Sequence, residues 1–303
     1  MSPPYSIVVV AWECSSYLRG LVESMNAHLS GTEELVVVDN ASSDDPRTAA
    51  ASWRGELKFK QLPDNRGFGV GCNVGVQLAS AHVVVMLNPD TRLLPGGLAR
   101  LAAAAKEHGG LVGPRVLNAD GTVQPSASGP EVGVWPWVRA FWPGALAPRV
   151  ILRHTEPYRL NVPTRVTWLT GSCIAGPREA LLSLGPFDPS FHLYGEDLDL
   201  GLRAAAAGIP CVFSPDAGSI VHLAAGSSTV AYGSQYGWHP DGARNFGVAL
   251  ERRYGRRRAW LGWRALRVNL ALRYAAKLAL GRADERTRIV LKASRQARPP
   301  RVR

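Results

Sequence analysis

Three short β-branched runs constrain this chain more than anything else in it. Ser6-Ile-Val-Val-Val-Ala11, Leu35-Val-Val-Val-Asp39 and His82–Leu87 are strand-sized and apolar without alternation. That pattern belongs to strands covered on both faces. Between and after them lie segments of helical character, Ser16–Leu29, Cys72–Ala81 and Pro95–His108. A further short strand fits Leu57–Leu62. Strand alternating with helix predicts an α/β fold, a mainly parallel sheet flanked by helices. Ligands of such sheets bind beyond the carboxyl ends of the strands. Asp39 ends one run, and Asp90 follows another in Leu87-Asn88-Pro89-Asp90-Thr91. Both should face one crevice.

The second half carries a denser acidic group. Tyr194-Gly195-Glu196-Asp197-Leu198-Asp199-Leu200 places three carboxylates within four positions, opening a predicted helix Glu196–Ala207 that stops at Gly208. The positive end of a helix dipole favours ionised carboxylates, which suits a general base at neutral pH. Acids at a helix start also serve as caps, and both readings stand at this point. Arg165–Leu169 reads as a strand leading to Thr170-Gly171-Ser172. Pro177–Leu184 is a helix punctuated by its proline and Gly185. Cys211–Ser214 and Ser219–His222 read as short strands. Val132–Pro148, with Trp135, Trp137, Phe141 and Trp142 among prolines, reads as a loop or broken helices. Its aromatics suit lipid contact, acceptor contact or a satellite core.

Charge divides the chain in two. Residues 1–250 hold 18 Lys and Arg against 21 Asp and Glu, a net −3. Residues 251–303 hold 17 against 3, a net +14. The expected organisation is a folded domain over 1–250 and a basic helical extension over 251–303. The extension interleaves Trp260, Leu261 and Trp263 with arginines, which suits a helix lying on an anionic membrane surface. A helix packed on the domain with solvated arginines is the other reading. No run approaches the ~20 apolar residues of a membrane span, and no secretory leader is visible, so a cytoplasmic location is expected. The four cysteines, 14, 72, 173 and 211, show no zinc spacing and read as buried free thiols. Nucleic acid is not an expected partner, because no reading motif accompanies the basic tail.

Taken together, these motifs resemble the inverting glycosyltransferases of family 2, which have the GT-A, Rossmann-like fold. The resemblance covers roughly residues 5–225. Its carriers are Ser6-Ile-Val-Val-Val, Val36-Val-Val-Asp39-Asn40-Ala-Ser-Ser-Asp44, Asn65-Arg66-Gly67-Phe68-Gly69 with Asn73 and Gly75, and Leu87-Asn-Pro-Asp90. They continue with Gly195-Glu196-Asp197 and Val221-His222 followed by Gly226-Ser227. The glycines at 67, 69 and 71 would let backbone approach a sugar nucleotide. They are not GxGxxG, since Val stands at position 74.

The resemblance implies a nucleotide-sugar donor held by Ser6, Trp12, Asp39, Asn40, Asn65, Arg66, Gly67, Asn73 and Asn88. It implies a divalent cation, Mg²⁺ or Mn²⁺, on Asp90 and His222, which neutralises the leaving diphosphate. Asp197 would be the base that deprotonates the acceptor hydroxyl. Glu196 and Asp199 would orient Asp197, cap the helix or meet acceptor hydroxyls. Trp168, Thr170, Gly171 and Ser172 would shape the acceptor side. Asn88 stands where the family's usual Asp-x-Asp has its first acid, a weaker ligand. Asn-Pro-Asp looks like the rhamnosyltransferase-bearing branch, which implies dTDP-L-rhamnose as donor. UDP-linked galactofuranose or hexosamine is the alternative. The implied acceptor is a cell-envelope glycan or a polyprenyl-diphosphate sugar at the inner membrane face. A catalytically impaired scaffold is the competing reading, kept open by Asn88.

Overall fold

The computed structural model describes residues 2–142, 146–223 and 240–281, with residues 288, 291–292 and 294–295. Gly226-Ser227 and most of 293–303 lie outside the described residues, as do positions 143–145 of the aromatic segment.

The chain opens with β1 (Ser6–Ala11), α1 (Ser15–His28), β2 (Glu34–Asp39), α2 (Pro46–Ala50), β3 (Glu56–Gln61), α3 (Phe68–Leu78) and β4 (Val83–Leu87). β1 pairs in parallel with both β2 and β4, and β2 with β3. Successive side chains of a strand point to opposite faces. Ile7, Val9, Leu35, Val37, Val83 and Val85 accordingly pack on one side with Leu18, Leu21, Val22 and Met25 of α1. Val8, Val10, Val36, Val84 and Met86 pack on the other with Cys72 and Val76 of α3. The unbroken apolar runs arise because both faces are covered. α3 lies unusually close to β1: a Cβ on Gly71 would sit 2.6 Å from the Val10 side chain.

Next come β5 (Thr91–Leu93), α4 (Gly97–His108), β6 (Leu111–Gly113), β7 (Arg115–Leu117), β8 (Ala127–Ser128), α5 (Trp135–Phe141) and α6 (Arg149–Thr155). They are followed by β9 (Thr164–Arg165), β10 (Trp168–Leu169), β11 (Cys173–Pro177), α7 (Arg178–Leu184) and α8 (Glu196–Ala206). The described residues end with β12 (Cys211–Phe213), β13 (Ser219–His222), α9 (Pro240–Tyr254) and α10 (Arg256–Ala279), apart from the few positions beyond. The main sheet runs β3-β2-β1-β4-β11-β6-β12-β9. It is parallel through β4 and mixed beyond, because β11 is antiparallel to β4 and β6. The predicted strand Arg165–Leu169 is two short strands in different sheets, since β9 joins β12 and β10 joins β8.

Two pairings build the region beyond the strand ends. The β4–β11 ladder continues as the Asn88 N–H donates to the Ser172 carbonyl, at 3.0 Å. The β5–β13 register sets His222 opposite Thr91, directly beside Asp90. A third apolar cluster unites Leu198 and Leu202 of α8, Phe246 and Leu250 of α9, and Ala259 and Trp263 of α10. α10 therefore buries one face on the rest of the molecule. Its arginines lie outside that face, Arg264 stacking over Trp260 and Arg267 over Trp263. No described helix is long and apolar enough to cross a membrane.

Candidate active site

The loops after β1, β2 and β4 and the turn before α8 enclose a cleft of about 970 Å³. Trp12, Asn40 and Asn88–Asp90 line it, one group from each strand end. Asn40 and Asn65 clasp each other: Asn40 Nδ2 donates to Asn65 Oδ1 at 2.8 Å, and Asn40 Oδ1 accepts from the Arg66 N–H at 3.0 Å. Gly67 (φ +86°) follows in the left-handed region and presses against the His192 carbonyl, a place no side chain could occupy.

Strain gathers at the same rim. Among the described residues, the non-glycine positions with positive φ are Glu13, Ala41 and Tyr194. Each is a cleft-lining residue or the neighbour of one. Such conformations cost about 1–3 kcal/mol each and persist where surrounding structure enforces them. At Tyr194 the enforcement is visible, since Asn245 of α9 donates to the Tyr194 and Leu193 carbonyls at 2.8 and 3.2 Å.

That turn delivers Glu196 and Asp197. Neither is a helix cap: the N-cap is Gly195 and makes no side-chain bond. Asp197 is half-buried and reaches the cleft, accepting from the Gly171 N–H at 3.0 Å and the Leu198 N–H at 2.8 Å. Burial raises its pKa despite these donors. Glu196 is buried, and its Oε2 has no hydrogen-bond partner. Burial first, and the neighbouring Asp197 charge second, push its pKa up to about 8. Two adjacent carboxylates in a low-dielectric wall do not ionise together readily. One proton is thus shared across the pair near neutrality. Asp197, with two amide donors, is the better place for the charge, and Glu196 for the proton.

Across the cleft, Asp90 is buried and its Oδ1 lies 3.3 Å from His222 Nε2. Among the described residues, no three of His, Cys, Asp or Glu gather as a complete metal cage. The residues present nonetheless fit a divalent cation shared with a ligand. A hard carboxylate and an imidazole face one point, and the buried Asn88 Oδ1 nearby has no hydrogen-bond partner. Seven buried side-chain polar atoms lack a partner among the described residues. Three of them, on Asn88, Ser172 and Glu196, belong to cleft-lining residues. Most buried polar atoms in a fold are paired, so an unpartnered one beside a cleft is a candidate contact for a ligand or water.

The sequence expectations sort as follows. Trp12, Asn40, Asn65, Gly67, Asn88, Asp90, Trp168, Thr170, Gly171, Ser172, Glu196, Asp197 and His222 line the cleft. Asp39 lies just beneath it, its Oδ1 accepting from the Ser42 N–H at 2.9 Å. Arg66 is exposed beside the rim. Three residues need correction. Ser6 begins β1, at the strand end away from the cleft, and its hydroxyl donates to Glu34. Asn73 is fully engaged with the Phe187 backbone, donating at 2.7 Å and accepting at 2.8 Å. Asp199 turns to Arg203, 2.6 Å away. Gly69 and Gly71 likewise serve packing, against Phe187 and Val10.

Another wall was not anticipated. Glu131 and Arg139 form a buried two-pronged pair at 2.9 and 2.6 Å. Glu156 binds both Arg159 and Arg273. Asn269 of α10 donates to the Arg139 carbonyl at 2.7 Å. Glu131, Arg139, Glu156, Leu266, Asn269 and Arg273 all line the cleft. Arg273 lies 117 positions from Glu156, and Asn269 lies 130 from Arg139, so no local motif announces these pairings.

A mixed sheet with its ligand cleft beyond the parallel strand ends, a paired-carboxylate wall and a facing Asp–His pair define a sugar-transferring enzyme of the GT-A fold. The chain belongs to glycosyl transferase family 2, whose family model matches residues 6–181, and it is a glycosyltransferase. It is 30% identical over 291 residues to the N-acetylglucosaminyl-diphospho-decaprenol L-rhamnosyltransferase of Mycobacterium tuberculosis, covering 90% of this chain and 92% of that one. The fold is shared with the mannosyltransferase PcManGT of Pyrobaculum calidifontis, solved with GDP-Man and Mn²⁺. That match has a TM-score of 0.61 and 18% identity, over 97% of this chain and 85% of that one. It is also shared with S. aureus TarS residues 1–349, at a TM-score of 0.58 and 17% identity, over 92% and 75%.

Proposed function

We propose that the enzyme transfers L-rhamnose from dTDP-L-rhamnose to a hydroxyl of a lipid-linked, diphosphate-bearing amino sugar, with inversion. The observation that carries this reading is that Asp197, Glu196, Asp90 and His222 line one cleft. The near full-length likeness to a rhamnosyltransferase supports the donor and acceptor class. Asp197 accepts the acceptor hydroxyl's proton as that oxygen attacks the anomeric carbon. The bond from that carbon to the diphosphate oxygen breaks, and its electrons leave with the nucleoside diphosphate. The Gly171 and Leu198 amides hold Asp197 in place for this step, and the protonated Glu196 keeps a second negative charge away from it. A divalent cation on Asp90 and His222 would neutralise the departing diphosphate, while Asn88 Oδ1 takes a donor from the bound nucleotide sugar or its waters.

On this reading the enzyme works at the inner face of an anionic membrane, where a lipid-linked acceptor would sit. Val134, Phe141, Trp142, Leu146 and Val150 of the α5–α6 region are exposed, as are Leu261, Leu272, Leu278 and Leu280 along or just beyond α10. Exposed apolar side chains beside arginines suit an interface between headgroups and acyl chains. A Phe141→Ser, Trp142→Ser, Leu146→Ser variant should lose most co-sedimentation with anionic vesicles while keeping its Tm. Unchanged sedimentation would remove the α5–α6 region from the membrane reading.

The test of the reaction is a donor screen in the presence of a prenyl-diphosphate N-acetylglucosamine acceptor and Mn²⁺ or Mg²⁺. We expect nucleoside diphosphate release from dTDP-L-rhamnose, lost with chelator and in Asp197→Asn. Turnover of a UDP-sugar alone would replace the donor assignment.

A further inference from the structure

The turn that carries Asn118 to Gln124 lines the cleft on the His222 side. It is tightly built, with the Gly121 N–H donating to the Asn118 carbonyl at 2.9 Å and the Asn118 N–H to the Thr122 carbonyl at 2.8 Å. Its side chains form one chain of hydrogen bonds whose direction can be read from the far end. Asp120 is exposed, and the Thr122 donors hold its carboxyl below the usual range, so it is ionised and accepts only. Thr122 Oγ1 lies 2.6 Å from Asp120 Oδ1 and must donate its proton there. The Thr122 oxygen is then an acceptor towards Asn118, 2.9 Å away, so Asn118 presents its Nδ2. Asn118 Oδ1 consequently faces Gln124 and accepts from Nε2 at 3.2 Å. Gln124 Oε1 is left pointing at His222 Nδ1, at 2.9 Å. An amide oxygen cannot donate, so the proton must sit on Nδ1.

We infer that Asp120, Thr122, Asn118 and Gln124 form a directional relay that fixes the tautomer of His222 and turns its Nε2 lone pair towards the point shared with Asp90. The inference rests on the reading of Asp90 and His222 as cation ligands. Gln124 is a positioning residue that acts through the imidazole. Ligating histidines need the other ring nitrogen held in this way, and loss of the holder typically lowers metal affinity by about 10–100-fold. Thr122 and Asp120 set the direction from the surface, so the exposed end of the relay acts on the buried end through orientation alone.

The test needs no turnover. Long-range ¹⁵N–¹H spectra of the metal-free enzyme, with His222→Gln to assign the ring, read the tautomer directly. The neutral His222 ring should carry its proton on Nδ1, where Gln124 Oε1 lies 2.9 Å away, and not on Nε2, where the Asp90 carboxylate competes for it from 3.3 Å. Gln124→Leu should release it to the Nε2–H form and weaken binding of Mn²⁺ alone, read by calorimetry, by about 10–100-fold. Gln124→Glu keeps an acceptor at the same place and should keep the Nδ1–H form, which separates loss of the relay from misfolding. An Nε2–H ring in the unmodified enzyme, or a Gln124→Leu variant with unaltered tautomer and Mn²⁺ affinity, overturns the relay. His222→Ala with unaltered Mn²⁺ affinity would instead overturn the cation reading beneath it.

Discussion

The two walls of the cleft are built by different means. The donor wall comes from loops that follow β1, β2, β3 and β4, and its polar groups are fixed by neighbours on those same loops. Asn40 grips Asn65, Asn65 Oδ1 takes the Gly67 amide at 3.0 Å, and Asp39 takes the Ser42 amide. The opposite wall is assembled from α5, α6, α8 and α10, and a long-range ion pair and a long-range hydrogen bond link its parts. Glu156 meets Arg273 across 117 positions, and Asn269 meets the Arg139 carbonyl across 130. We propose that the first wall meets the donor and the second the acceptor.

The largest effect should come from Asp197, where the two walls meet. Asp197→Asn removes the proton acceptor, keeps an acceptor for only one of the two amides that bind the carboxylate, and should lower kcat by about 10²–10⁴-fold. Donor binding, measured by calorimetry, should be unaltered. A variant retaining more than a tenth of the turnover would move the base elsewhere and dissolve the division between the walls.

Glu131 tests whether the second wall is structural as well as selective. Its carboxylate is buried against Arg139 and also accepts from Ser128 Oγ at 2.6 Å. Glu131→Gln leaves the Arg139 charge uncompensated, and removing one partner of a buried pair typically costs about 3–5 kcal/mol. We expect a Tm lowered by several degrees. An unchanged Tm would show that water already screens the pair and that this wall is no more rigid than the first.

Glu196 gives a pH signature. Its folded-state pKa is raised from 4.5 to about 8 by burial and by Asp197. The folded protein therefore holds this proton more tightly than the unfolded chain, and stability falls as pH rises from about 4.5 to about 8. Glu196→Gln cannot ionise. Its advantage should be absent near pH 4.5 and grow to about 2 kcal/mol by pH 8, less than the full shift because the cleft admits water. Denaturant melts at both pH values measure it. A gain of equal size at both would mean that the carboxylate is not the source.

How far the sequence spoke follows the same division. The sheet through β4 was legible because both faces of β1, β2 and β4 are buried, so their apolar runs stand out without any partner being known. β11 was missed: Cys173-Ile-Ala-Gly-Pro177 is short, ends in Gly-Pro and pairs antiparallel inside a series read as parallel. Within the site, Asp90, Asp197 and His222 sit in short motifs at element ends, where local pattern is informative. Ser6 and Asn73 were assigned by motif membership alone, and their hydrogen bonds turn out to hold the scaffold. Gln124 and Asn118 carry no motif; only the β5–β13 register, which sets His222 beside Asp90, gives them something to hold. For α10, the irregular spread of its arginines concealed a buried face of Ala259, Gly262, Trp263, Ala265 and Asn269. Three of these are small residues and one is polar, so periodicity was weak where packing was tight.

Arg273 offers the smallest effect and the sharpest separation of the walls. Burial alone would raise the pKa of Glu156, but Arg273 and Arg159 outweigh it and hold that carboxyl below its usual range. Removing Arg273 leaves Arg159 in place, so Glu156 is not stranded. Arg273 is also nearly half exposed. Its pairing should therefore contribute no more than about 1 kcal/mol to stability. Its position on α10, lining the cleft opposite the donor loops, predicts a different consequence for turnover. Arg273→Gln should raise the KM for the lipid-linked acceptor several-fold while leaving kcat and donor affinity near those of the unmodified enzyme. Arg159→Gln, on the same carboxylate but outside the cleft lining, should leave the acceptor KM alone. If both variants moved donor and acceptor constants together, the cleft would behave as one cooperative unit, and the assignment of one wall to each substrate would fail.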